Sequence, residues 1–149
     1  MSDNAFRCCV LLPCSSERSW VVPQRCLGEI VTVPSSDEQP PTEIDWRGQV
    51  VPVIDFGGND TLPWRDHRGG AGLIAVMLGQ RDEQCQYFGV AVRGGALGVS
   101  DLPENDIEDL PDTGLDFTTA AFRMNGNVYH VPDLLALQRA IGAGDAVIR

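Results

Sequence analysis

The sequence predicts an all-β fold assembled from small barrels. Three observations carry that prediction. About eight or nine short β-compatible runs are separated by turns rich in glycine and proline. Helical spacing occurs in one segment alone, at the C-terminal end. Helices long enough for βαβ crossovers are missing, which argues against a parallel α/β sheet. The 149 residues suit one compact domain, or two small units sharing a core, with enough buried surface to fold independently.

Taken in order, residues 6–12 are rich in apolar and β-compatible side chains, and Pro13 with the polar Ser15-Ser16-Glu17-Arg18 closes that run. Trp20-Val21-Val22 resumes an extended pattern before Pro23, and Ile30-Val31-Thr32-Val33 forms the next strand. Residues 34–41 are a loop dominated by prolines and small polar groups. Val50-Val51-Pro52-Val53-Ile54 reads as a strand, and its internal proline, which cannot donate to a ladder, places it at an edge or bulge. Residues 57–72 carry five glycines, a proline and mixed charges, the composition of an exposed connection between two structural units. Residues 73–78 are almost entirely apolar and too short for a typical helix, so they predict a strand buried on both faces. Residues 87–92 and 96–99 continue the series. Within 119–131, Asn125-Gly126 supplies the positive-φ pair of a tight hairpin turn between Phe122 and Val128-Tyr129. Pro132-Asp133 then opens a short helix through Ile141, with Leu134, Leu137 and Ile141 on one stripe and Gly142 as its stop.

Charge narrows the function. Eleven basic residues, all arginine, stand against twenty-one acids, a formal net charge of −10. A chain this acidic repels a phosphate backbone and an anionic membrane surface. Its apolar runs fall far short of the roughly 20 residues of a membrane-spanning helix. The polar start, Met1-Ser2-Asp3-Asn4-Ala5, has no secretory pattern, so a cytoplasmic location is expected. Five cysteines (Cys8, Cys9, Cys14, Cys26, Cys85) lack the short paired spacing of a metal site and suit thiols packed in a reducing compartment. No metal and no cofactor is expected.

Side-chain catalysis requires convergent acids, bases or nucleophiles. His67 sits in the charged stretch Trp64-Arg65-Asp66-His67-Arg68, which predicts a solvated side chain, and His130 beside Tyr129 predicts a hydrogen-bonded structural role. Residues 101–116 hold seven acids and no base, a solvated loop without the spacing of a calcium site. The glycine pairs at 69–70 and 94–95 do not open helices, so they are not phosphate loops. No catalytic constellation stands out. A cysteine-dependent activity pairing Cys85 or Cys26 with His130 is the enzyme alternative.

The most informative stretch runs Ile44-Asp45-Trp46-Arg47-Gly48-Gln49-Val50-Val51-Pro52-Val53-Ile54-Asp55-Phe56. It predicts a turn at Arg47-Gly48, where Gly48 permits positive φ, feeding an apolar strand. Arg47 beside Trp46 sets a cation next to a large flat ring, a pairing enriched in interaction hot spots. An ordinary surface turn fits the same residues.

This stretch resembles the central motif of the CheW-like family of chemotaxis coupling proteins, an asparagine-leucine-arginine-glycine step followed by an apolar strand ending in aspartate. Weaker collinear similarities are Leu27-Gly28-Glu29-Ile30, Phe88-Gly89-Val90-Ala91-Val92, the step from Asp101 to Ile107, and Val128-Tyr129-His130-Val131-Pro132-Asp133-Leu134-Leu135. They span residues 6–141, with 142–149 as a tail. The resemblance implies two SH3-like five-stranded β-barrels, approximately 17–57 and 72–131, and a non-catalytic cytoplasmic adaptor recruited to receptor arrays at the inner membrane. One surface would hold the regulatory domain of a histidine kinase, another the cytoplasmic tip of a chemoreceptor (methyl-accepting chemotaxis protein). By position, Arg47 and Gly48, with Asp45 and Trp46 before them, fall at the turn near the family's receptor-binding region. Leu27, Glu29 and Ile30 fall in the segment bordering the groove between the barrels.

Three departures from the family pattern bear on partner choice more than on fold. Asp45-Trp46 replaces asparagine-leucine, the segment from Pro41 to Arg47 is shorter, and Arg93 stands where an acid is common. They fit a divergent member serving a specialised array, such as one controlling type IV pilus motility. A module of the same fold that sequesters a single kinase or receptor domain without bridging is the alternative adaptor reading.

Overall fold

The computed structural model of the chain describes residues 8–15, 18–36, 38–56, 64–66, 70–79, 86–93, 98–101, 107–110, 118–124 and 127–142. Twelve strands and one α-helix occur among them: β1 (Cys8–Ser15), β2 (Arg18–Pro23), β3 (Leu27–Pro34), β4 (Glu43–Trp46), β5 (Gln49–Ile54), β6 (Arg65–Asp66), β7 (Ala71–Leu78), β8 (Tyr87–Val92), β9 (Gly98–Asp101), β10 (Ile107–Leu110), β11 (Thr118–Met124), β12 (Asn127–Pro132) and α1 (Leu134–Gly142). A single 3-10 turn, Gln24–Cys26, joins β2 to β3.

The strands make two curled six-stranded sheets. One is ordered β10-β11-β12-β2-β1-β9, the other β3-β7-β8-β5-β4 with the two-residue β6 added against β7. The all-β pair of small units with a short C-terminal helix is therefore what the chain forms. Strand pairing runs across the expected division at 17–57 and 72–131, because β7 and β8 join β3–β5 while β1 and β2 join the C-terminal strands. A segment's chemistry says that it is a strand, not which edge it pairs with.

The main core lies between the two sheets. Val10, Leu12 and Cys14 from β1 and Trp20 and Val22 from β2 meet Ala75, Met77, Phe88, Val90 and Val92 from β7 and β8. The other face of β1 and β2, through Cys9 and Val21, packs on Phe122. Likewise Ile74 and Val76 on the far face of β7 contribute to two further clusters around Trp64 and Trp46. Strands buried on both faces lose the polar–apolar alternation, which is why residues 73–78 read as a continuous apolar run. Helix α1 starts where Asp133 caps it: Oδ1 accepts from the Ala136 N–H at 3.1 Å. Its Leu137 is fully buried in the main core, with Leu134 and Ile141 packed beside it.

Several elements differ from the sequence reading. Strand β1 continues through Pro13 to Ser15 instead of closing at Pro13. A register shift between Pro13 and Ser15 accommodates the ring, and the Pro13 carbonyl accepts from the Arg93 N–H at 2.8 Å. Strand β5 is not an edge, since β4 covers one side and β8 the other. Pro52 is tolerated there because it lies just before the parallel ladder with β8, which begins at Val53, and opposite Glu43 on the β4 side. The neighbouring Val53 N–H goes to Thr42 O at 2.9 Å, so Pro52 occupies the alternate position that donates nothing to β4. Residues 57–72 are not simply an exposed connection. Trp64 is 1% exposed, its Nε1–H donates to Leu73 O at 3.0 Å, and β6 pairs with Gly72 and Ala71. Nor are residues 101–116 all loop, since β9 ends at Asp101 and β10 pairs Ile107–Leu110 with β11. The β11–β12 hairpin closes with Met124 opposite Asn127. Its Asn125-Gly126 link, His67, Cys85 and the tail from 143 lie outside the described residues.

Candidate functional site

The β4–β5 hairpin closes with Trp46 opposite Gln49, which leaves Arg47 and Gly48 as a two-residue loop. Both have positive φ, 51° and 78°. A two-residue hairpin with both central residues in that region matches the right-handed twist of its strands. Glycine enters the region at no steric cost. Arginine does not, since its Cβ crowds the backbone there. Arg47 is the one non-glycine residue with positive φ among the described residues.

The turn sits on an aromatic bed. Trp46 is 7% exposed and packs with Val51 and Val76. Its Nε1–H donates to Glu29 Oε1 at 2.9 Å. Tyr87 meets it edge-on, with ring centroids 5.2 Å apart. The Arg47 guanidinium lies over the indole at 4.6 Å from the ring centroid, and its Nη2 is 3.6 Å from the same Glu29 oxygen. Arg47 and Glu29 side chains are 68% and 48% exposed, so water screens this ion pair and the stacking does more to hold the guanidinium flat.

Glu29 reaches this position through an irregularity in β3. The pairing with β7 shifts register between Leu27 and Glu29. Gly28, in the middle, has Trp46 Cη2 and Leu78 Cδ2 so near that a Cβ would lie 3.4 and 2.9 Å from them. A Cβ at Gly28 would crowd Leu78 and the Val76 carbonyl, at 2.9 and 3.3 Å, while only touching the indole.

Of the seven residues singled out from the sequence, four thus converge: Glu29, Trp46, Arg47 and Gly48. Asp45 is exposed on the outer face of β4, opposite Val50, which at 62% exposure is a large apolar side chain open to solvent beside the turn. Leu27 and Ile30 are half-buried and pack against the main core, so they border the site from below. Sequence reading missed Tyr87 and Val50. The former sits forty residues from the motif in the chain and the latter reads as strand interior, so neither carries a local signal.

A second polar group was missed as well. Arg93 Nε donates to Asp55 Oδ1 at 3.0 Å and Nη2 to Asp55 Oδ2 at 2.6 Å, with side chains only 3% and 2% exposed. The same Nη2 donates to Gln39 Oε1 at 3.3 Å. Asp55 follows β5 and Arg93 follows β8. Those strands pair in parallel through Val53↔Gly89 and Ile54↔Val90, so both residues leave the sheet at the same end. Of the described histidine and cysteine residues, two were candidates for the enzyme alternative. His130 is buried in β12 opposite Ala121 and Trp20, and Cys26 lies in the 3-10 turn. Among the described residues no three metal-binding side chains cluster, and no helix is long and apolar enough to cross a membrane.

Comparison with known proteins adds to this geometry. A crystal structure of the scaffolding protein TtCheW from Thermoanaerobacter tengcongensis is similar to the chain, with a TM-score of 0.58 and 21% identity, covering 88% of this chain and 91% of that one. At that identity the likeness concerns the fold. No curated protein matches the chain. The family description "CheW-like domain" matches residues 9–141, nearly the whole length from β1 through α1, and on that match the chain belongs to the CheW-like domain family.

Proposed function

We propose that the chain is a non-catalytic adaptor that couples the helical cytoplasmic tip of a chemoreceptor to the regulatory domain of a histidine kinase. Membership of a family of chemotaxis scaffolds supports the adaptor class. The observation that carries the site is Arg47. An arginine held at φ 51°, where asparagine or glycine would close the turn at lower cost, has its guanidinium stacked on Trp46 and largely exposed. Backbone strain retained at one exposed residue points to a contact made by that residue. A flat, pre-oriented cation on an exposed turn suits a carboxylate on the side of an amphipathic helical hairpin. The chain works in the cytoplasm, beside receptor arrays at the inner membrane. The replacement of asparagine-leucine by Asp45-Trp46 supports a specialised array, and one controlling type IV pilus motility is the candidate we favour.

The test is binding of the purified chain to a receptor tip and a kinase regulatory domain from the same genome. A ternary complex on size exclusion is expected. Binary complexes alone would instead mean sequestration of one partner, and no complex with either would refute the adaptor reading. Arg47→Asn suits the turn better than arginine, and Arg47→Glu reverses the charge. Both are expected to weaken receptor binding by about tenfold or more, the scale of a hot-spot side chain. Melting should stay within a few degrees, because an exposed ion pair contributes about 0–1 kcal/mol.

A further inference from the structure

We propose that Arg93 is a positioning residue for the Arg47 turn, acting through Gln39 on the segment that leads into β4. Residues 38–42 lead into β4, and three of the hydrogen bonds around them bear on where it begins. The Ser35 N–H donates to Gly70 O at 2.9 Å, Thr42 O accepts from the Val53 N–H at 2.9 Å, and between these Gln39 Oε1 accepts from Arg93 Nη2 at 3.3 Å. The middle tie differs in kind. Gln39 is exposed, yet its partner is 3% exposed and immobilised from two sides. Asp55 takes Nε and one Nη2 hydrogen in a fork, and the Arg93 main-chain N–H is held by Pro13 O on the opposite sheet. The second Nη2 hydrogen is left pointing at Gln39. Only a planar, multi-donor group can fill a buried fork and still offer a directed bond outward, which a lysine ammonium at the end of a flexible stem does not.

The geometry joins two features that are far apart in the chain. Arg93 stands where the family pattern commonly has an acid, and the segment after Pro41 is shorter than usual. In the folded chain Arg93 bonds Gln39, two residues before that segment begins, and four residues after Gln39 the chain enters β4. A short connection transmits a tether at Gln39 directly to Glu43–Trp46, and so to the loop at Arg47 and Gly48. Arg93 itself is buried. Its effect on the hairpin stands on these contacts alone, while its effect on affinity rests on the adaptor reading.

Amide hydrogen exchange followed by mass spectrometry tests this on the full chain without any partner. Gln39→Ala removes the tie at an exposed position and leaves the buried fork intact. It is expected to speed exchange across residues 43–49 by about fivefold, the scale of one ordinary hydrogen bond made by an exposed side chain, with residues 71–78 of β7 within twofold of wild type. Arg93→Lys should produce the same local acceleration, together with a loss of overall stability. Unchanged exchange at 43–49 in Gln39→Ala would overturn the proposal, as would an equal acceleration in β7. In a second arm, Gln39→Ala should bind the receptor tip several-fold more weakly. Full affinity with a loosened hairpin would overturn the positioning role. Failure of the wild-type chain to bind any tip would count against the adaptor reading instead, with the exchange result still deciding the tether.

Discussion

Replacing Arg93 by methionine isolates the energetic role of the buried fork. Methionine fills much of the aliphatic volume of the arginine and removes the charge and every donor, leaving the buried Asp55 carboxylate without its counter-ion. Breaking one side of a buried pair costs about 3–5 kcal/mol, since a desolvated charge is left uncompensated. For 149 residues, an unfolding entropy of about 2.1 cal/mol/K per residue turns that into a fall in Tm of roughly 10–16 °C. Against a total stability of about 5–15 kcal/mol, this is a large fraction. The double variant Asp55→Leu/Arg93→Met removes both charges, and apolar replacements of buried pairs are often near neutral, so it should recover about 2 kcal/mol or more relative to Arg93→Met. Urea unfolding and thermal melts followed by circular dichroism measure both. If Arg93→Met melts within 2–3 °C of wild type, or the double variant is as unstable as the sum of its singles, the pair is neither as dry nor as coupled as its geometry requires.

Two further perturbations probe the aromatic sites. At Gly72 a Cβ would overlap Cε2, Cδ2 and Cζ2 of the Trp64 indole, so Gly72→Ala must expel the ring or shift β7. A loss of about 3 kcal/mol and a red shift in tryptophan emission are expected, and a variant with wild-type emission and melting would show that the ring does not lie over Gly72. Trp46→Phe keeps a ring beneath Arg47 but removes the N–H donated to Glu29. With Glu29 half exposed this costs about 1 kcal/mol in urea unfolding, and the same change made in a Glu29→Gln background should cost clearly less. Equal costs in both backgrounds would mean that the 2.9 Å bond contributes nothing.

Much of the candidate site was legible because its signals are local. Positive φ at Gly48, a large ring next to an arginine, and an apolar run after them all follow from neighbours within a few residues. The closure of the hairpin followed less directly. Glu43-Ile44-Asp45-Trp46 alternates as a strand should, with Ile44 and Trp46 inward, but at four residues and two acids it is easily taken for the approach to a turn. Trp64 was hidden for a related reason, since a glycine-rich, charged segment reads as solvated until Gly72 is seen to make room for an indole.

By itself the sequence determined the class of most elements, the C-terminal helix and the position of Arg47 and Gly48 on a turn. These depend on period-2 or period-3.6 patterning and on which residues tolerate positive φ, properties that act within a few residues. Tertiary structure alone decided which strands pair, so that β1 and β2 join the C-terminal strands while β7 and β8 sit beside β3 and β5. It also decided that Asp55 and Arg93, 38 residues apart, share a dry fork, and that Glu29 meets Trp46 across 17 residues. Backbone ladders are chemically alike from strand to strand, so partner choice comes from burying all the apolar faces at once. A buried pair can be read only after that choice has brought its two halves together.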